Sequence, residues 1–311
     1  MKTRLRIGTR GSALALAQAS LVQHQLQNRY PRLAVDLEII KTTGDKIQDV
    51  PLAKIGGKGL FTKEIELAIL AGEVDLGVHS MKDVPTEVPP GLVIGITTAR
   101  EDPRDAFISR QYQDLHQIPP GGRVGTGSLR RRAQLLHLRP DLEIVPLRGN
   151  VDTRLRKLHE ESLDAIILAA AGLRRLGRAA EITAILSPRT MLPAIGQGAL
   201  GLEFREDDDE VKSLLGFLDD TTTRVAVTAE RAFLARLEGG CQVPIAAYGQ
   251  VHHDTVSLDG LIGDLTGQRL YRAQMQGPAA AAASLGRELA ELLLAQGGAQ
   301  ILSEVYGRSF L

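Results

Sequence analysis

Residues 123–169 read RVGTGSLRRRAQLLHLRPDLEIVPLRGNVDTRLRKLHEESLDAIILA. A short β-like run, Arg123–Thr126, leads into a helical pattern over Ser128–Leu138. The pair recurs at Glu143–Pro146 and Val151–Glu160, and Asp164–Ala169 closes the stretch as a third strand. Strands that alternate with helices imply an α/β fold with mostly parallel sheets. The same alternation runs through the N-terminal part. Strands are expected at Leu5–Gly8, Val35–Ile40, Asp75–Val78 and Leu92–Ile96, with helices at Ser12–Asn28 and Leu60–Ala71.

Working outward, two polar, proline-bearing segments read as crossings between domains: Thr97–Arg104 and Ser187–Pro193. Beyond the second, the helix Thr221–Leu237 passes through Glu238-Gly-Gly-Cys-Gln-Val-Pro244 into strands at Val256–Leu261 and Gln268–Ala273. An Ala/Leu-rich helix, Ala279–Ala295, follows. Strands followed by a helix suggest a smaller α+β unit. At about 100–200 residues per domain, 311 residues suit two or three domains.

Composition narrows the function. Lys+Arg and Asp+Glu both number 37, which argues against general binding to nucleic acid or membranes. The longest apolar run, Ala165–Ala171, is too short to span a bilayer. One cysteine excludes an intramolecular disulfide. Basic residues precede Ala13–Ala17, but that apolar stretch is too short for a signal peptide, so the expected location is the cytoplasm. No long apolar seam suggests an oligomer, and a monomer is expected. The charge is nevertheless uneven. Residues 123–157 hold nine Lys/Arg against three Asp/Glu, and residues 1–63 hold eleven against four. Two local cationic regions in a neutral chain suit a small anionic ligand.

Three helix starts share one pattern, a small or polar residue with an Arg nearby: Thr9–Ser12, Thr126–Arg131 and Arg148–Arg154. Free N–H groups at such starts attract anions, and Arg offers a planar fork matched to a carboxylate. Plain capping by Ser, Thr or Asn would use the same residues. Gly56-Gly-Lys-Gly59 lacks the spacing of a phosphate-binding loop, and Gly125-Thr-Gly-Ser-Leu-Arg130 lacks the last Gly of a dinucleotide fingerprint, so neither ATP nor NAD is supported. Val78–Pro85 follows a strand end, where α/β sheets place ligands, and offers Asp83 beside Lys82. His79 reads best as a structural histidine, and the seven His and one Cys show no metal-ligand spacing. Cys241, flanked by glycines and a proline, sits in a loop where a thiol can be modified.

Five motifs occur together and in order: Gly56–Phe61 (GGKGLF), His79–Pro85 (HSMKDVP), Arg148–Arg154 (RGNVDTR), Leu192–Gly198 (LPAIGQG) and Glu238–Pro244 (EGGCQVP). From Leu5 to Tyr306 the chain resembles the hydroxymethylbilane synthase family, also called porphobilinogen deaminases. The resemblance implies an enzyme of tetrapyrrole and heme biosynthesis. Such enzymes join four porphobilinogen molecules head to tail, releasing ammonia each time, on a dipyrromethane cofactor held by a thioether to one cysteine.

The likeness implies Cys241 as the attachment point and Asp83 as the catalytic carboxylate. It implies cofactor contacts from Ser80, Lys82, Thr126, Gly127, Ser128, Arg130, Arg131, Thr153 and Arg154. Substrate contacts fall on Arg10, Ser12, Gln18, Arg148, Arg154 and Arg175, with Lys54 and Lys58 on a mobile loop. Gly127 departs from the family pattern, where many members have Ser. The implied architecture has three domains. The first two (1–98 with 199–217, and 104–192) resemble periplasmic binding proteins, with mixed, mostly parallel sheets. The third, small and α+β (221–311), carries the cysteine loop.

Overall fold

The computed structural model describes residues 2–46, 59–239 and 243–310. Thirteen strands follow one another among them: β1 (Arg4–Thr9), β2 (Ala34–Ile39), β3 (Leu76–Ser80), β4 (Leu92–Thr97), β5 (Asp105–Ile108), β6 (Arg123–Gly125), β7 (Glu143–Val145), β8 (Ala165–Ala169), β9 (Ala184–Ile185), β10 (Leu200–Arg205), β11 (Ile245–His252), β12 (Thr255–Gly263) and β13 (Leu270–Pro278). The chain divides into two compact units. One is Met1–Glu101 with Ala199–Arg224, and the other is Asp102–Gly198 with Val225–Leu311.

The first unit is built on one sheet of order β2-β1-β3-β10-β4. β1 runs parallel to β2 and β3, joined by helical connections of the kind parallel strands require. β10 lies between β3 and β4 and is antiparallel to both. The helix Ala13–Arg29 buries Ala19, Val22 and Leu26, the spacing that keeps one helical face on the sheet. These pack with Leu5, Ile7, Leu76, Val78, Leu202 and Phe204 into one core.

The second unit holds a sheet of order β7-β6-β8-β5-β9. The apolar run at Ala165–Ala171 is explained by its position. Ile166 and Leu168 of β8 face one core and Ala165 and Ile167 another, so the strand is covered on both sides. The same unit contains the antiparallel sheet β11-β12-β13, with the helices Ala282–Leu293 and Thr221–Arg236 contributing to its core.

The expectation of mostly parallel sheets is corrected. Of the ten strand pairings described, four are parallel and six antiparallel. Parallel pairing does hold among strands that the alternation marked, β1 with β2 and β3, and β6 with β7 and β8. Each large sheet also takes in a strand next to a crossing. β10 in the first unit and β5 in the second run against their neighbours.

The helix Ala282–Leu293 approaches the backbone of the helix Thr221–Arg236 at Gly286. A Cβ added there would stand 2.2 Å from the Ala229 carbonyl oxygen and 2.9 Å from the Phe233 nitrogen. Both obstacles are backbone, so neither can swing aside. Gly286→Ala is expected to destabilise the second unit by about 1–3 kcal/mol, as overpacking does. A urea melt with an unchanged midpoint would show that the two helices are not in such close contact.

Candidate active site

In the first unit, the site residues gather where β3 ends. Ser80 closes the strand and Met81–Asp83 form a single 3₁₀ turn anchored by Met81, whose N–H donates to the Ala199 carbonyl at 3.0 Å. His79 is buried, and its Nε2 lies 2.9 Å from the equally buried Glu203 carboxylate. It is therefore a satisfied structural histidine. Gln18, buried on the helix Ala13–Arg29, donates from Nε2 to Ser80 Oγ at 3.0 Å, which unites two of the expected contact residues. At that helix's start Ser12 Oγ accepts the Ala15 N–H, and the Arg10 guanidinium lies 4.1 Å from the Phe61 ring centroid, a cation–π contact.

Asp83 differs from its surroundings. It is half-buried, and its carboxylate makes no hydrogen bond or ion pair with any described residue. Lys82 does not pair with it. A carboxylate at the carboxyl end of a strand, with its lone pairs unused, is available to accept from a ligand N–H.

In the second unit, the helices Leu129–Leu138 and Val151–Glu160 begin just beyond β6 and β7. Both starts are capped by side chains. Ser128 Oγ accepts the Arg131 N–H at 3.4 Å, Thr126 Oγ1 accepts the Ser128 N–H at 3.2 Å, and Asn150 Oδ1 accepts the Thr153 N–H at 2.8 Å. Ordinary capping thus operates at all three helix starts, satisfying one of the orphan donors at each. Arg154 donates from Nε to the Gly149 carbonyl at 2.8 Å, and Arg175 from Nη2 to the Gly198 carbonyl at 2.6 Å. Arg148 is half-buried beside the second of these helix starts.

Arg130 and Arg131 point inward, 4% and 5% exposed. Both meet Asp105, which is fully buried. Arg131 Nη2 donates to Oδ1 at 2.9 Å, and Arg130 Nη1 stands 2.8 Å from Oδ2, off the line of a good hydrogen bond. Burial pushes the Asp105 carboxyl up, but the two guanidiniums outweigh it and hold it well below the usual carboxylate range. Two cations share one anion, and Arg131 Nε is buried with no hydrogen-bond partner. A surplus of buried positive charge suits an acidic ligand.

Cys241, Lys54 and Lys58 lie outside the described residues. No group of three or more His, Cys, Asp or Glu among the described residues is arranged to hold a metal ion. Asp105 was missed in the sequence. Its one signal was a carboxylate at the head of the apolar triplet Ala106-Phe-Ile108, where a buried charge needs a partner.

Two family descriptions match the chain: "Porphobilinogen deaminase, dipyromethane cofactor binding domain" over residues 5–213 and "Porphobilinogen deaminase, C-terminal domain" over residues 224–295. Porphobilinogen deaminase of Trichlorobacter lovleyi is 58% identical over 307 residues, covering 98% of this chain and 97% of that one. The Geobacter metallireducens protein of the same name is 57% identical over 304 residues, covering 98% and 95%. Among solved structures, the methionine-binding protein MetQ matches with a TM-score of 0.43 and 14% identity, over 70% of this chain and 89% of that one. That likeness is too distant to carry an argument.

Gly127 follows from local packing. A Cβ built there would stand 2.6 Å from the Leu147 carbonyl oxygen, a backbone atom. Gly127→Ser is expected to displace the segment around Leu147 and cost about 1–3 kcal/mol of stability. A serine variant with an unchanged denaturation midpoint would show that this backbone yields freely.

Proposed function

The chain belongs to the porphobilinogen deaminase family, and on that premise we propose how its own residues run the family's reaction. It joins four porphobilinogen molecules head to tail into the linear tetrapyrrole hydroxymethylbilane, releasing ammonia at each addition. This is transferase chemistry in porphyrin and heme biosynthesis. The family uses a dipyrromethane cofactor, which supplies, when bound, the pyrrole carbon to which the first substrate ring is joined. We assign its thioether to Cys241, the sole cysteine.

Asp83 is the catalytic carboxylate, and its unpartnered state carries the assignment. An ionised carboxylate accepts the pyrrole N–H of the incoming porphobilinogen and stabilises positive charge on that ring as ammonia leaves. It can then take the proton released when the new carbon–carbon bond forms. Each ring carries an acetate and a propionate. The surplus positive charge at Arg130 and Arg131 fits a group of that chemistry, and the orphaned Arg131 Nε is a donor in reserve. Arg148, Arg154, Arg175 and Arg10 hold further acidic arms, with Ser12, Gln18, Ser80, Lys82, Thr126, Ser128, Thr153 and the Gly127 backbone N–H around them. We assign further ligand contacts to Lys54 and Lys58.

We further read three domains, 1–98 with 199–217, 104–192 and 221–311, the first two built like periplasmic binding proteins. Among the described residues no helix is long and apolar enough to cross a membrane. A cytoplasmic monomer that binds no nucleic acid is the reading we favour. It is supported by the balance of 37 basic and 37 acidic residues and by the presence of only eleven aromatics for base stacking.

Asp83→Asn should turn over at least ~100-fold more slowly with KM little changed, the scale of losing an acid/base group or electrostatic stabiliser. Near-normal turnover would remove Asp83 from the chemistry. Intact-protein mass should exceed the sequence mass by two linked pyrrole units, and Cys241→Ser should abolish the excess. An active protein of unmodified mass would overturn the cofactor assignment.

A further inference from the structure

We propose that Asp105 is a positioning residue for this reaction. Its carboxylate holds the Arg130 and Arg131 guanidiniums side by side and fastens them to the segments by which the chain enters and leaves the second unit. Asp105 opens β5, three residues after that unit begins at Asp102. Gln197 lies one residue before the chain leaves it at Gly198. Gln197 Nε2 donates to Asp105 Oδ1 at 2.8 Å and to the Pro103 carbonyl at 2.6 Å. Entry and exit are thus tied together at the oxygen that also receives Arg131.

The two arginines are held at further points. Arg131 Nη1 donates to the Ile167 carbonyl of β8 at 2.9 Å, and Arg130 Nη1 to the Leu192 carbonyl at 2.7 Å. Leu192 is itself gripped by Gln134, whose Oε1 accepts its N–H at 2.7 Å and whose Nε2 donates to its carbonyl at 3.1 Å. These carbonyls fix direction but supply no countercharge. Among the described residues Asp105 is the only carboxylate the structure pairs with either guanidinium. Two adjacent buried cations repel, and one carboxylate shared by them lets both stay charged. It cannot neutralise both, so the pair keeps one positive charge for an acidic arm of the ligand. Asp105 itself need touch neither substrate nor cofactor.

This inference rests on the reading that Arg130 and Arg131 grip ligand carboxylates, and the test separates the two. Asp105→Asn, Gln197→Leu and Arg131→Leu are expressed as full chains. Each is assayed for the fraction carrying the pyrrole adduct by intact mass, and for KM and kcat per adduct-bearing molecule. A purely structural defect lowers the amount of folded protein but leaves KM where it was. Asp105→Asn should raise KM about tenfold or more and reduce adduct loading, with kcat per loaded molecule within about threefold. If Asp105→Asn does not fold, Gln197→Leu decides, because it keeps all three charges and removes one restraint. Its KM should rise about three- to tenfold. Wild-type KM and full loading in Asp105→Asn, or in Gln197→Leu where only that variant folds, overturn the positioning role. Wild-type KM and loading in Arg131→Leu instead overturn the underlying reading of the arginines.

Discussion

A buried excess of positive charge organises the second unit. Guanidinium groups are rarely taken out of water, because desolvation costs several kcal/mol per ion unless a partner offsets it. Here Arg130 and Arg131 are both withdrawn into the protein, and one carboxylate is divided between them. Carbonyls of Leu192 and Ile167 add neutral acceptors, and Arg131 Nε stays without one. A molecule designed for stability alone would neutralise or replace such a group. Its retention makes sense when an acidic ligand supplies the missing charge, so that stability forgone in the empty protein returns as binding.

The first unit offers a complementary situation. Around Asp83, polar groups are satisfied by one another: His79 by Glu203, Ser80 by Gln18. Asp83, at the end of a strand, is left with its lone pairs unused by any described residue. Surrounding order with one unfilled acceptor is what preorganised electrostatic catalysis requires, since little has to rearrange as charge develops. Anchoring of Met81 to Ala199 fixes the turn that presents it.

How much of this could be read from residues alone varied with the range of the interaction. Helices at residues 129–138 and 151–160 and strands β6 and β8 follow from period and capping, which are local properties. β10 and β5 could not be seen that way. β10 is set by pairing with residues over a hundred positions away, and β5 is a four-residue strand beside a polar crossing. That is also why a mostly parallel fold was expected and a mixed one found. The arginines were legible as a cluster, because LRRR is conspicuous in any reading. Their partner was not, since Asp105 looks like one more charge in a polar segment until the fold buries it. The motif resemblance supplied the chemistry, and geometry supplied the interplay among these side chains.

The placement of β10 bears on how the molecule comes into being. Leu200 pairs with Ser80, and Arg205 with Leu92. During synthesis, β3 and β4 therefore emerge long before the strand that belongs between them, while every residue of the second unit's five-stranded sheet, through Ile185, is made in the interval. Such late closure raises contact order and slows folding. It also leaves two unpaired strand edges on the nascent chain, the kind of surface on which chaperones act and aggregation begins. The N-terminal unit, though begun first, can be closed only after the five-stranded sheet of the second unit has been made.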